Sequence, residues 1–141
     1  MSLISAEAAG YTASPPVLAS GNVVGGRVRR IRGTITLNSQ TTSQTILVGR
    51  IPAASHFAYG VLTSSASLGT STIAIGVAGA TGRYRAAATF TAVDTPTLFG
   101  PAAAVGSAAG VTAEETIIIT IGTASLPASG TLIVDLYVTA S

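Results

Sequence analysis

The chain contains no cysteine, no lysine and no tryptophan, one histidine, and five carboxylates in 141 residues. Each shortage removes a class of function. Without cysteine there is neither a disulfide framework nor a thiolate metal site, and the redox compartment cannot be read. One histidine with scattered acids gives no metal-ligand spacing, so no metal and no cofactor is expected. Seven arginines without lysine suit fixed, planar contacts to carboxylate or phosphate better than the broad positive field of a nucleic-acid binder. Charged residues make up 9% of the chain, against about 25% in ordinary globular domains. Charge keeps monomers apart, so its scarcity points to a surface covered by a partner.

A long apolar run is also missing. Residues 51–82 carry no formal charge but are interrupted by Pro52, His56, glycines and a run of Ser and Thr. Nothing approaches the roughly 18 apolar residues of a spanning helix. Met1 to Gly10 lacks the basic region and apolar core of a signal peptide. The expectation is a soluble or assembly-bound protein without a membrane.

What is present is β-type hydrophobicity. Val, Ile and Thr dominate the apolar stretches, and β-branched residues favour a pleated, half-buried surface. Strict alternation in 31–37 (IRGTITL) marks a strand with one buried face. Further strands are predicted at 44–51, 56–63, 72–78, 83–91, 116–123 and 131–140, with Tyr84, Ala86, Ala88 and Phe90 sharing a face. Seven strands separated by Gly, Ser, Pro and Asn clusters indicate a sandwich or barrel. Residues 101–113 (PAAAVGSAAGVTA) are alanine-rich, but Gly106 and Gly110 each cost a helix about 1 kcal/mol, so a connection across one end of the sandwich is favoured.

Residues 1–26 differ in kind, with Ala, Ser, Gly and the Pro15-Pro16 pair and little alternation. Two readings stand: a frayed terminus, or an extended arm lying across a neighbouring subunit. The sparse charge of the main domain favours the arm.

Catalytic chemistry has little to work with. His56 heads a strand, and Asp94 is the only acid between it and Glu114. Asp94 reads as a turn residue beside Pro96. Glu114 and Glu115 are strand neighbours and so face opposite ways at a solvated strand start. The glycines of 76–83 (GVAGATGR) lack the Lys-Ser/Thr ending of a phosphate loop and read as a turn between strands. No catalytic residue and no small-molecule substrate is assigned.

The dense charge cluster is Arg27, Arg29, Arg30 and Arg32. On a strand, Arg27 and Arg29 face one way and Arg30 and Arg32 the other. Burying either pair would be costly, so this stretch is expected at an edge or beyond the core. It serves either as a basic edge against wrong pairing or as a set of salt bridges to a neighbouring subunit. Arg83 and Arg85 share a side and form a second candidate contact, with Tyr84 inward between them.

The middle of the chain resembles small structural proteins of tailed bacteriophages encoded near the major capsid protein. The resemblance is carried by Ile51-Pro52, Phe57, Tyr59-Gly60-Val61, residues 68–76 (LGTSTIAIG), 82–91 (GRYRAAATFT) and 94–100 (DTPTLFG), together with the C-terminal strand. It implies a head decoration (cement) protein: a β-sandwich on the capsid surface, commonly a trimer, bound to the major capsid protein across capsomer junctions. A tail, neck or fibre subunit and a carbohydrate-binding module are the alternatives. The latter is disfavoured by few aromatics, most of them inside strands.

The combined expectation is an antiparallel, jelly-roll-like β-sandwich at residues 27–141 with an extended N-terminal arm at 1–26. It would be a non-enzymatic virion subunit on the phage head, assembled in the host cytoplasm, closing into a cyclic homo-oligomer. The expected contact residues are Tyr11, Pro15, Pro16, Arg27, Arg29, Arg30, Arg32, Arg83 and Arg85.

Overall fold

Alternating β-branched residues do build the molecule, as two four-stranded antiparallel sheets. The computed structural model describes residues 26–106 and 110–140. Its elements are β1 (Arg27–Thr36), β2 (Thr45–Ile51), β3 (His56–Ser64), β4 (Thr72–Val77), β5 (Ala80–Thr89), β6 (Thr97–Phe99), α1 (Ala102–Val105), β7 (Glu115–Gly122) and β8 (Thr131–Ala140). One sheet runs β1-β8-β3-β6 and the other β2-β7-β4-β5. Among sequential strands only β4 and β5 pair with each other; every other connection crosses between the sheets. That order is the jelly roll, two Greek keys folded into a sandwich. The predicted fold class holds.

One apolar cluster fills the space between the sheets. Leu132, Val134, Leu136 and Val138 alternate along the inner face of β8, each 0% exposed. Ile117, Ile119 and Ile121 do the same on β7, and Ile73 and Ile75 on β4. Full burial of each such side chain contributes roughly 1.5–3 kcal/mol of transfer free energy.

Bulges break the alternation where the register shifts. In β3 the shift lies between Phe57 and Tyr59. Two residues apart, these rings would otherwise share a face. The bulge turns Phe57 into the core, 4.7 Å from the Tyr84 ring centroid, and leaves Tyr59 outside, stacked on Tyr137 at 4.6 Å. Irregular pairing of β4 with β5 likewise removes Ala86 and Ala88 from the expected face; both are exposed, while Tyr84 and Phe90 are buried.

Two expectations need correction. β6 was not predicted, because Thr97–Phe99 is too short to alternate and is hemmed by Pro96 and Pro101. β1 carries the alternation of 31–37 back to Arg27, so the arginine cluster lies on the strand, since β8 offers a partner for all ten of its residues, from Arg27↔Ala140 to Thr36↔Thr131. The 101–113 connection contains the single-turn helix α1, begun after Pro101 and closed at Gly106. Of the described residues of this connection, Ala104 and Val111 pack against the core. The predicted arm, with Tyr11, Pro15 and Pro16, lies outside the described residues except for Gly26.

Two glycines are demanded by close approach. At Gly33 an added Cβ would stand 2.8 Å from Val48 Cγ1, where β1 and β2 of opposite sheets converge. At Gly60 it would fall inside the Phe99 ring, which lies directly on the β3 backbone. Gly60→Ala should therefore expel Phe99 and loosen β6, at a cost of about 1–3 kcal/mol. A lowered urea midpoint with an unchanged slope checks this.

Candidate functional site

The surface most open to a partner is the outer face of the β1-β8-β3-β6 sheet. Because inner positions of β8 are even-numbered, Ile133, Asp135, Tyr137 and Thr139 point outward. The register extends this into rows across the sheet. Arg30 lies beside Tyr137, and Tyr137 beside Tyr59. Arg32 lies beside Asp135, Asp135 beside Val61, and Val61 beside Leu98. Among the described residues, three of the six large apolar side chains that are strongly exposed belong here: Val28 at 59%, Tyr59 at 41% and Leu98 at 71%.

The face carries one carboxylate, and it is neutralised in place. Asp135 is 5% exposed, and Arg32 grips it with Nε–Oδ1 at 2.7 Å and Nη2–Oδ2 at 2.8 Å. This bidentate fork is the strong form of the pair. The hydrogen bond to Asp135 and its charge raise the Arg32 pKa above the ordinary guanidinium value. The Arg32 side chain itself stays 44% exposed, flanked on the same face by the exposed Arg30 and Thr34.

The other predicted contact residues are spent differently. Arg83 and Tyr84 both donate to Glu115, Tyr84 through its hydroxyl at 2.5 Å to Oε1 and Arg83 to Oε2. Glu115 is thus drawn in, 17% exposed at its side chain, whereas Glu114 is solvated near Arg50 at 3.9 Å. Arg85 folds back onto its own sheet, donating to the carbonyls of Ile73, Ala88 and Thr89. Burial lowers its pKa. Arg85 therefore braces the irregular β4–β5 pairing. Arg27, Arg29 and Arg30 are exposed at the start of β1, which is an edge strand, as the cost of desolvation required.

A cavity of about 350 Å³ lies at the end of the sandwich under the 101–112 connection, lined by Phe57, Arg83, Tyr84, Ala104, Val111 and Glu115 among others. Its polar groups are committed to one another by the Arg83–Glu115–Tyr84 contacts. Among the described residues, no three His, Asp or Glu side chains come together as a metal site would require. Asp94 does occupy a turn, with φ +51° and its N–H donated to the Ser64 carbonyl.

The sequence reading missed Tyr59, Tyr137 and Leu98. Tyr137 was legible, since it falls opposite the apolar positions of β8. Tyr59 was hidden by the bulge, and Leu98 by the shortness of β6.

No family model and no curated protein sequence matches the chain. Solved structures match its fold nearly end to end. A chain of the structure titled "Cyanophage Pam1 capsid asymmetric unit" superposes with a TM-score of 0.61 at 19% identity, over 89% of this chain and 93% of that one. One from "Capsid of Ralstonia phage GP4" gives 0.63 at 16% identity, over 82% and 86%. One from "Acidic stable capsid structure of Helicobacter pylori bacteriophage KHP30" gives 0.59 at 8% identity, over 80% and 87%. At these identities the likeness is one of fold.

Tyr84 makes alkaline stability a readout of the cavity network. Burial first, then the Glu115 hydrogen bond and charge, raise its pKa above the ordinary 10.0. The folded state thus holds the proton that the unfolded chain releases. Its contribution to stability is whole below pH 10 and is lost as the pH climbs toward the raised value. The thermal midpoint should fall from pH 10 upward, and Tyr84→Phe should flatten that fall relative to wild type.

Proposed function

We propose that the chain is a structural subunit of a phage virion that sits on the head surface as a decoration (cement) protein. It binds the major capsid protein across capsomer junctions. The reading is carried by the fold likeness to three phage capsid chains, each matched over 86% or more of its own length. The chain works by association rather than by chemistry. Its face of Val28, Tyr59, Tyr137, Val61 and Leu98, with the one carboxylate already neutralised, is suited to burial against protein, where aromatic and aliphatic anchors dominate binding energy. A closed cyclic oligomer, a trimer in this reading, would present several such faces at once and multiply their hold on the shell. Assembly would take place in the host cytoplasm.

The test is the mass of the purified protein by light scattering, followed by sedimentation with empty heads that lack it. A trimer that sediments with heads is expected. A monomer that stays in the supernatant overturns the proposal. Leu98→Asp should weaken head binding about tenfold or more, since it places a charge in the apolar row. Its thermal midpoint should hold, because Leu98 is 71% exposed.

A further inference from the structure

The described residues hold seven arginines and four carboxylates, and the pairing among them is uneven. Arg32, Arg50 and Arg83 stand against Asp135, Glu114 and Glu115. Arg85 is satisfied by carbonyls. The basic excess therefore falls on Arg27, Arg29 and Arg30, which make no ion pair among the described residues. They occupy four consecutive positions with Val28, at the point where β1 runs past Ile31, its last inward apolar residue.

Protection of a sheet edge does not account for this placement. An edge guard needs charge along the exposed edge. Here the charge is massed at one end, while Gly33, Thr34, Ile35 and Thr36 leave the rest of the same edge uncharged. The cluster also spans both sides of the strand. Arg30 continues the outer row of Tyr137 and Tyr59, and Arg27 and Arg29 project on the alternate side.

We infer that the Arg27–Arg30 end of β1 docks onto a cluster of carboxylates on the surface of the protein that the chain decorates. The inference rests on the decoration reading and supplies its polarity: an apolar face in the middle and a basic margin at one corner. Arginine rather than lysine suits this role, because its fork meets a carboxylate bidentately and is the less strongly hydrated of the two cations. A protein surface accounts for Val28 as well. That side chain stands 59% exposed among the arginines and would be buried against protein but left in water against phosphates. Three local charges are also few for a nucleic-acid site, which draws on many phosphate contacts.

The probe is the same empty heads, titrated with wild-type protein, with the triple variant Arg27→Gln, Arg29→Gln, Arg30→Gln, and with Arg50→Gln as a control for an exposed arginine elsewhere. All three arginines are exposed, so the variant should keep its β-sheet circular dichroism. Expected is a loss of affinity of about tenfold or more for the triple variant, with a shallower dependence on salt, and no change for Arg50→Gln. Wild-type binding with an equally tight triple variant overturns the inference and leaves the decoration reading standing. Wild-type protein that does not bind heads overturns both. Binding of a duplex DNA as tight as that of heads, lost in the triple variant, also overturns the inference, assigning the cluster to phosphate.

Discussion

The strand on which the rest depends is β8. Its even-numbered residues Leu132 to Val138 are wholly buried, and they fix its register on both sides, with β1 along all ten residues and with β3 across the bulge. A strand has only two faces, so the demand that one row be apolar determines which residues form the other. Ile133, Asp135 and Tyr137 are outside because Leu132, Val134 and Leu136 are inside. The same pairing carries β1 to its first residue, opposite Ala140, and so holds Arg27, Arg29 and Arg30 where inward apolar residues have run out. The outer face and its basic corner are by-products of one packing requirement.

Sparse charge in the composition has a specific structural meaning here. Three of the four described carboxylates face an arginine, and two of those three pairs are drawn in at the acid: Asp135 is 8% and Glu115 17% exposed at the side chain. Little charge is left to solvate the surface, which is the condition under which a partner is needed to cover it. Where charge is left without an ion-pair partner among the described residues, three arginines gather at the start of β1, and Asp94 stands apart in its turn.

The sandwich was legible because its central strands alternate without interruption: residues 131–140, 116–123 and 72–78 are close to the observed β8, β7 and β4. What the sequence concealed was every place where backbone geometry departs from period two. The bulge between Phe57 and Tyr59 sends two aromatics to opposite faces, and no residue in HFAYG announces it. Arg83 and Arg85 were read as a surface pair by spacing alone. Their targets are set by the folded sheet: Ile73 comes from the paired β4, Glu115 from β7 one strand further on, and the Ala88 and Thr89 carbonyls from the irregular course of β5 itself. The Arg27–Arg30 cluster was visible as sequence and its exposure followed from desolvation cost. That Arg32, alone of the four, would find a buried partner depended on the β1–β8 register.

That register poses a problem which apolar patterning cannot solve by itself. Slipping β1 by one residue along β8 would invert its faces and is forbidden by burial. Slipping it by two preserves every inside and outside assignment. The inner rows are aliphatic apart from Gly33, whose close approach to Val48 resists a slip that would put Ile31 or Ile35 in its place. The outer row discriminates as well. The slip that sets Arg32 against Tyr137 would put Thr34 beside Asp135 and leave its carboxylate sunk in the sheet face without a cation, whereas the opposite slip would bring Arg30 to Asp135 but Ile35 to Gly130. Removing the partner of a buried charge costs far more than the intact pair contributes, so such a pair acts as a register lock more than as a source of stability. Arg32–Asp135 therefore acts with Gly33 to hold the β1 edge: the ion pair opposes the slip toward Tyr137, and the Gly33–Val48 approach opposes both. With that alignment Arg30 falls beside Tyr137, and the basic corner abuts the apolar face.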